Sequence, residues 1–246
     1  MALIWGRHPI AEALRAQRPI EQLSVAEGIR PTGLVADILR MAADRGVRIR
    51  YIDRRSLDRM SEGANHQGLV AEVPEYHYRT LDDLIERGKQ ASGQPLILAL
   101  DALADPQNFG TLLRTADACG ITGVLIPLHR AVGVTASVEK SSAGAVEYLE
   151  IARVTNLARA LNDLKSQGYW VVGLDASGQT LYDSFPVDVP LVLVVGAEER
   201  GLGRVVASAC DLLVRLPMRG RVESLNAGVA GSIVLYDILR RRNLPS

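Results

Sequence analysis

Three polar segments in the later part of the chain carry the residue types and spacing that chemistry needs. The first, Asp105-Pro106-Gln107-Asn108-Phe109-Gly110, begins shortly after an apolar run and precedes a helical pattern containing Arg114. The second, 196–203, follows an apolar run directly and contains Glu198, and the third comprises 216–220 and 224–226. Each segment alone also fits a plain structural role, such as a helix cap by Asn108, a glycine turn or a solvated charge.

The glycines of the second segment, Gly196-Ala197-Glu198-Glu199-Arg200-Gly201-Leu202-Gly203, invite comparison with a dinucleotide-binding loop. Gly201-Leu202-Gly203 begins six residues past the apolar run, and the third glycine is absent. Two carboxylates lie where a pyrophosphate would bind, so a nucleotide-dependent oxidoreductase is a disfavoured alternative. Negative charge at this place suits a sulfonium-bearing or hydroxyl-rich ligand better.

Other chemistries find little support in the chain. It has four histidines and no Gly-x-Ser-x-Gly elbow, P-loop or paired Cys/His spacing, which disfavours a triad hydrolase or a metalloenzyme, and we expect no metal. Cys119 and Cys210 have no partner-like spacing and are interpreted as buried thiols of a reducing compartment.

The elements that must position these segments form an α/β pattern. Fully apolar runs at 96–100, 123–126, 170–174, 191–195 and 212–216 predict strands of a parallel sheet covered on both faces. Helical patterns at 111–119, 156–167, 203–209 and 224–242 predict the crossovers. Ligands of such sheets bind beyond the carboxyl ends of the strands, where all three segments fall. Small residues at 227–232 of the last helix predict a close approach of a loop, a ligand or a second subunit.

The earlier part of the chain predicts a separate small α/β unit over residues 1–75. Its helices are predicted near 10–16, 33–44 and 55–60, and its strands at 21–26, 48–52 and 69–73. The polar stretch at 76–94, which contains one modest predicted helix at 81–89, is interpreted as a linker. Residues 95–246 then form the larger domain.

Composition restricts the class of protein without naming a function. A length of 246 residues with 48% hydrophobic and 23% charged residues is ordinary for a globular protein. No apolar run is long enough for a membrane span and no signal-peptide pattern is present, so we expect a cytoplasmic protein. The formal net charge of zero disfavours non-specific coating of nucleic acid. Most of the basic residues are arginines. Arginine binds RNA phosphates well, but a GC-rich genome also replaces lysine codons by arginine codons, so the excess decides nothing by itself.

Together, the order and spacing of the three segments resemble the SpoU (TrmH-type) RNA ribose methyltransferases of the SPOUT superfamily. The resemblance implies a parallel-sheet domain that ends in a trefoil knot, preceded by a small L30e-like substrate-binding domain. It also implies S-adenosylmethionine as cofactor, a homodimer, and 2′-O-methylation of RNA. Gly6-Arg7-His8 and Asn65-His66-Gln67-Gly68 are similar to the subgroup that methylates a guanosine of large-subunit (23S) ribosomal RNA.

The resemblance also assigns residues position by position. Around the cofactor it places Gly196, Leu216 and Leu225, and at the polar active site Asn108, Arg114, Glu198, Ser224 and Asn226. The RNA-binding residues of the small domain are Arg7, His8, His66 and Gln67. One position departs from the family: Gly228 stands where a second small hydroxyl residue is usual, which leaves any role for that hydroxyl in doubt.

Two alternatives stay open beside the ribosomal RNA methyltransferase. One is a methyltransferase of the same chemistry acting on tRNA. The other is a non-catalytic RNA-binding factor of ribosome assembly. Arg114 is the residue on which the catalytic interpretation depends, either as a base with a depressed pKa or as an electrostatic group, because a guanidinium is a poor base.

Overall fold

The computed structural model describes residues 1–198, 200–221 and 224–243. Its strands are β1 (Ala2–Trp5), β2 (Gln22–Ala26), β3 (Arg48–Ile52), β4 (Leu69–Val73), β5 (Leu96–Asp101), β6 (Gly123–Pro127), β7 (Ile151–Val154), β8 (Trp170–Leu174), β9 (Thr180–Leu181), β10 (Leu191–Gly196) and β11 (Leu212–Arg215). Its α-helices are α1 (Arg7–Arg15), α2 (Leu34–Asp44), α3 (Arg54–Met60), α4 (Leu81–Lys89), α5 (Pro106–Ala118), α6 (Ala136–Ser141), α7 (Leu157–Ser166), α8 (Arg204–Ala209) and α9 (Ala227–Asn243), with a 3-10 helix at Ala145–Tyr148. None of the helices in these described ranges has the length and apolar character that a membrane span requires.

The first of two compact units contains Met1–His77 and Val134–Tyr148. Its four-stranded sheet has the order β1-β4-β2-β3, with β2 and β3 parallel and the other neighbours antiparallel. The apolar sides of α1 and α2 pack over one face of the sheet, around Leu23 and Val25. The other face carries α3, whose Leu57 packs with Ala26 and Val70. This mixed sheet with helices on both faces is the small α/β unit that the sequence predicts.

The segment Val134–Tyr148 falls inside the stretch that the sequence assigns to the larger domain, 95–246, yet it packs with the first unit. Arg18 provides a physical reason, because its guanidinium is nearly buried and needs carboxylate partners. It donates to Oε1 of Glu139 at 3.1 Å and to Oε1 of Glu147 at 2.7 Å. Both carboxylates come from this segment, so the structural boundary differs from the predicted one.

The second unit contains the other described residues, 78–133 and 149–243, around a seven-stranded sheet. The strand order is β7-β6-β5-β10-β8-β11-β9, and every pairing is parallel, which confirms the predicted parallel sheet. All of β10 is buried at the centre of the sheet. Leu84 and Ile85 of α4 belong to this core, so the predicted linker 76–94 includes a helix that packs on the second unit.

The last helix, α9, lies against α5, and its small residues make that close approach possible. A Cβ on Gly228 would lie 3.3 Å from the backbone oxygen of Asn108, and one on Gly231 would lie 2.6 Å from Leu112. Ser232 shares a 2.8 Å hydrogen bond with Thr115 on α5. The small residues therefore face a helix of the same chain, which was not among the three neighbours that the pattern predicted, a loop, a ligand or a second subunit. The C-terminal knot implied by the resemblance stays a prediction.

Candidate active site

The three polar segments meet at one edge of the second unit's sheet. β5, β10, β8 and β11 are neighbours and run parallel, so their carboxyl ends share that edge. The first segment follows β5, the second follows β10, and the third follows β11. This is the place where open parallel sheets bind their ligands.

A hydrogen-bond network joins Asn108, Glu198 and Asn226 at this edge. Nδ2 of Asn108 donates to Oε2 of Glu198 at 3.0 Å, and Nδ2 of Asn226 donates to the same oxygen at 3.3 Å. Nδ2 of Asn226 also donates to Oδ1 of Asn108 at 2.6 Å. Asn108 is buried, so its amide needs these partners. The network therefore connects three segments that are far apart in the sequence.

The helix caps differ in part from what the sequence suggests. α5 begins at Pro106 and is capped by Asp105, whose carboxylate accepts from the backbone nitrogens of Gln107 at 3.3 Å and Asn108 at 2.9 Å. Asn108 is therefore not the cap, and its side chain is left for the network. Asn226 does cap α9, because its Oδ1 accepts from the backbone nitrogen of Val229 at 3.2 Å.

A cavity of about 580 Å³ opens at the same edge. All three residues predicted to bind the cofactor, Gly196, Leu216 and Leu225, line it, together with Glu198 and Ser224. The remaining wall is formed by the residues Leu174, Asp175, Ala176, Val195, Ala197, Arg200, Gly201, Arg215, Met218, Ala227 and Ala230. The volume is that of a small-molecule site.

Gly196 marks the tightest backbone approach in the cavity wall. A Cβ at this position would lie 2.2 Å from the carbonyl oxygen of Gly201 and 2.6 Å from the backbone nitrogen of Leu202. The backbone nitrogen of Gly201 in turn donates to the carbonyl of Ala197 at 2.8 Å. The loop after β10 thus folds back onto the end of its own strand, which only glycine allows without displacement.

Two aspartates that our sequence analysis did not single out hold this loop. Oδ2 of Asp175, at the end of β8, accepts from the backbone nitrogen of Leu202 at 3.2 Å. Oδ2 of Asp101, at the end of β5, accepts from that of Gly203 at 2.7 Å. Burial raises the pKa of Asp175, but hydrogen bonds from Ser177 and Leu202 outweigh burial and lower the pKa overall. Each aspartate ends or directly follows a predicted apolar strand, and that position is the signal that could have found them.

Arg114 lies outside the network and outside the cavity lining. Because α5 begins at Pro106, Arg114 stands in the third turn of the helix and not near its start, as the sequence suggested. Its side chain is exposed and makes no hydrogen bond or ion pair with the residues that the structure describes. The guanidinium is therefore available to an external anion.

The predicted RNA-binding residues of the first unit come together around one loop. Oε1 of Gln67 accepts from the backbone nitrogen of Arg7 at 3.0 Å, and the side chains of Arg7, His8 and Gln67 are exposed. His66 differs, because its ring is buried. Its Nδ1 accepts from the backbone nitrogen of Gly68 at 2.9 Å, and its Nε2 lies 3.0 Å from Oδ1 of Asp58. The structure thus places His66 as the residue that holds the loop.

Lys140 is a further residue at this loop that our sequence analysis missed. Its Nζ donates to the carbonyl oxygen of Asn65 at 2.7 Å. The residue lies on α6, in the segment that the sequence assigned to the larger domain, so no local signal connected it with Asn65. Within the described residues no group of histidine, cysteine or carboxylate side chains is arranged to hold a metal ion.

Comparison with known proteins identifies the family. Residues 95–236 match the SpoU rRNA Methylase family, and residues 3–79 match the RNA 2′-O ribose methyltransferase substrate binding family. A Bacillus subtilis protein assigned to the TrmH family of tRNA/rRNA methyltransferases, YacO, is 44% identical over 97% of this chain and 95% of its own length. A Staphylococcus aureus protein assigned to the same family is 39% identical over 98% of this chain and 96% of its own.

Solved structures agree with this result. An AdoMet-bound rRNA methyltransferase from Sinorhizobium meliloti is 26% identical, with a TM-score of 0.79, covering 99% of this chain and 88% of its own. An RNA 2′-O ribose methyltransferase is 29% identical, with a TM-score of 0.80, covering 98% and 89%. S-adenosylmethionine is the cofactor of this family, as the resemblance implied. The resemblance drawn from the motifs is confirmed: the chain belongs to the SpoU family of RNA methyltransferases.

Proposed function

We propose that this protein transfers a methyl group from S-adenosylmethionine to the ribose 2′-oxygen of a guanosine in large-subunit (23S) ribosomal RNA, in the cytoplasm. The observation that carries the proposal is the joining of Asn108, Glu198 and Asn226 beside a cavity lined by Gly196 and its loop. In this proposal residues 95–246 carry the methyltransferase and 1–75 bring the RNA, with the segment Val134–Tyr148 completing the RNA-binding unit.

The cavity fits S-adenosylmethionine in size and in chemistry. About 580 Å³ lies in the range of pockets that enclose small organic ligands. The apolar side chains of Leu216 and Leu225 suit a flat adenine ring, and backbone groups of the lining residues Gly196 and Ala197 would suit its polar edge. Two carboxylates, Glu198 and Asp175, and two guanidinium groups, Arg200 and Arg215, line the same cavity. Both signs of charge suit S-adenosylmethionine, which carries a sulfonium, an ammonium and a carboxylate group.

The chemistry depends on a methyl group carried by a sulfonium sulphur, which S-adenosylmethionine supplies when bound. The 2′-oxygen of the ribose forms the new bond to the methyl carbon as the bond from that carbon to sulphur breaks, and the hydroxyl proton leaves to solvent. In this step Asn108 and Asn226 fix Glu198 through the hydrogen bonds described above. Holding the ribose 2′-oxygen and the methyl carbon in line with each other can supply roughly 7–11 kcal/mol of the barrier.

Arg114 acts on the RNA in this proposal. A guanidinium stays protonated in proteins, so its contribution is electrostatic and not that of a general base. Being exposed and without a partner among the described residues, it is free to bind an RNA phosphate and to stabilise the negative charge that develops on the attacking oxygen. Ser224 is exposed and lines the cavity, which supports its assignment as a contact to the ribose.

RNA recognition by the first unit is assigned to the loop at Arg7 and Gln67. The exposed side chains of Arg7 and His8 suit phosphate and base contacts, whereas buried His66 positions the loop. Lys140 adds a cationic side chain to the same loop through Asn65.

The homodimer implied by the resemblance is part of the proposal. On α9 the side chains of Val229, Ile233 and Tyr236 are 45%, 38% and 54% exposed, although they are apolar. Their spacing of four and three residues places them on one side of the helix. A second copy of the chain, related by a two-fold axis, would cover this stripe with the same stripe of its own.

The experiment that tests the proposal is tritiated methyl transfer from S-adenosylmethionine to unmodified large-subunit rRNA and to bulk tRNA, side by side, with the labelled position mapped. Label at a guanosine 2′-oxygen of the rRNA alone is the expected result. Label in tRNA keeps the methyltransferase and overturns the substrate. Absence of label in both, from folded protein, leaves the RNA-binding assembly factor as the better interpretation.

A further inference from the structure

Five exposed arginines lie on β3 and α3 of the first unit. We call them the β3–α3 arginine face: Arg48 and Arg50 on β3, and Arg54, Arg55 and Arg59 on α3. β3 is an edge strand, hydrogen-bonded only to β2 within the described part of the sheet.

Strand alternation places the members of this face on one side of the sheet. Ile52 of β3 packs in the cluster that contains Leu57 of α3, so Ile52 points to the side that α3 covers. Residues two apart in a strand share a face, and therefore Arg48 and Arg50 point to the same side as Ile52. Leu57 of α3 is buried, whereas the arginines of that helix are exposed.

The two carboxylates within residues 48–59, Asp53 and Asp58, already have partners within the first unit. Asp53 caps α3, accepting from the backbone nitrogen and the hydroxyl of Ser56 at 3.1 and 2.6 Å. Asp58 pairs with the ring of His66 at 3.0 Å. Arg48, Arg50, Arg54 and Arg55 make no ion pair with the residues that the structure describes. Arg59 donates to the hydroxyl of Ser56 at 2.8 Å. The other four arginines therefore carry positive charge that no ion pair with a described residue balances.

The face is continuous with the proposed RNA-binding loop. Asp58 on α3 connects to His66 in the loop, and the adjacent Gln67 holds the backbone of Arg7. The ring of His66 thus connects the helix and the loop, because its Nε2 contacts Asp58 of α3 and its Nδ1 accepts from the backbone of the loop at Gly68.

We propose that the β3–α3 arginine face is a second RNA contact, which binds the phosphate backbone next to the part held by the loop. Arginine forms bidentate hydrogen bonds with phosphate, and successive arginines on a strand and a helix can follow a polyanion. Contacts of this kind supply affinity and register without reading sequence. This inference rests on the proposed function, because it presupposes that the first unit brings the RNA.

The test compares two double variants with a matched control by RNA binding at several salt concentrations. The variants are Arg48→Gln with Arg50→Gln, and Arg54→Gln with Arg55→Gln. The control is Arg15→Gln with Arg40→Gln, which removes two exposed arginines from α1 and α2 on the other face of the sheet. The probe is an unmodified transcript of large-subunit rRNA. S-adenosylmethionine affinity and the unfolding midpoint, measured for every variant, report on folding and on the second unit.

Each double variant is expected to bind RNA about tenfold more weakly, and the slope of log affinity against log salt is expected to fall by about 1.5. The control is expected to match the wild type. If the wild type binds and methylates the RNA but both variants behave like the control, the inference is wrong, and the arginines shield the open edge of β3. An equal loss of RNA affinity in the control also overturns the inference, because the total positive charge of the protein, and not this face, then explains the binding. A wild type that neither binds nor methylates RNA overturns the proposed function itself.

Discussion

Substitution Gly196→Ala tests whether the close contact between β10 and its following loop shapes the cofactor cavity. The new Cβ would lie 2.2 Å from the carbonyl oxygen of Gly201, whereas carbon–oxygen contacts below 3.0 Å are essentially absent from proteins. The loop must therefore move by about 1 Å. That movement stretches the hydrogen bonds from Leu202 to Asp175 and from Gly203 to Asp101, which are now 3.2 and 2.7 Å long.

The expected cost is that of inserting a methyl group into a packed site, about 1–3 kcal/mol. If this cost falls on the cofactor-binding conformation, the dissociation constant for S-adenosylmethionine rises roughly 5- to 150-fold, since about 1.4 kcal/mol is a factor of ten. If it also falls on the folded state, the unfolding midpoint drops by about 2–4 °C per kcal/mol for a chain of this size.

Isothermal titration with S-adenosylmethionine and thermal unfolding measure the two effects. Gly93→Ala is the matched control, because a Cβ at Gly93 meets no atom within 4 Å and lies away from the cavity. The reasoning is refuted if Gly196→Ala binds the cofactor as tightly as the wild type and unfolds at the same temperature. If Gly196→Ala binds S-adenosylmethionine more weakly but keeps the wild-type unfolding midpoint, the added methyl group disturbs only the cavity and not the stability of the fold.

Three further predictions follow from separate parts of the structure. Arg114→Ala should reduce methyl transfer to RNA at least a hundredfold, since one electrostatic donor to a reacting oxygen contributes about that much, while the affinity for S-adenosylmethionine stays within about twofold. Arg159→Ala, which removes an exposed arginine of α7, is the control. Near-full activity of the Arg114 variant would exclude the role. Burial raises the pKa of Glu139 to about 7, from 4.5, so the folded state holds the extra proton and stability should fall as pH rises from about 4.5 to 7. Denaturant unfolding at pH 5 and pH 8 should show that Glu139→Gln flattens this decline, and an unchanged slope would contradict it. Ile233→Glu should convert a dimer to a monomer, as measured by sedimentation velocity. Val205→Glu, which also changes an exposed apolar residue, should leave the dimer intact. A wild-type protein that is already monomeric would rule out the α9 interface.

The sheet of the second unit could be predicted because its strands are buried on both faces. Runs such as 191–195 are apolar throughout, and β10 is indeed buried along its whole length. Strands β1, β7 and β9 were missed; β9 has only two residues, but β1 and β7 are as long as β11, which was predicted. The start of α5 was placed too late, at 111, with Asn108 as the possible cap, whereas Asp105 is the cap and Pro106 occupies the first turn, where proline is well suited.

The site was predictable as a set of residue types and as a place in the fold. The rule that ligands bind at the carboxyl ends of parallel strands placed all three segments at one edge. The contacts inside the set could not be predicted, because Asn108 is 90 residues from Glu198 and 118 from Asn226. Arg114 illustrates the same limit, since its distance from the cavity depends on where α5 begins.

The sequence by itself determined the parallel α/β domain, the small domain before it and the three polar segments that identify the family. These are local properties. An apolar run indicates a buried strand, and the positions of glycine and asparagine indicate turns. Only the tertiary structure decided that Val134–Tyr148 packs with the first unit, that His66 is buried in its loop, and that α9 uses its small residues against α5. Those outcomes depend on which distant parts of the chain share a core, and long-range packing leaves no periodic trace in a single sequence.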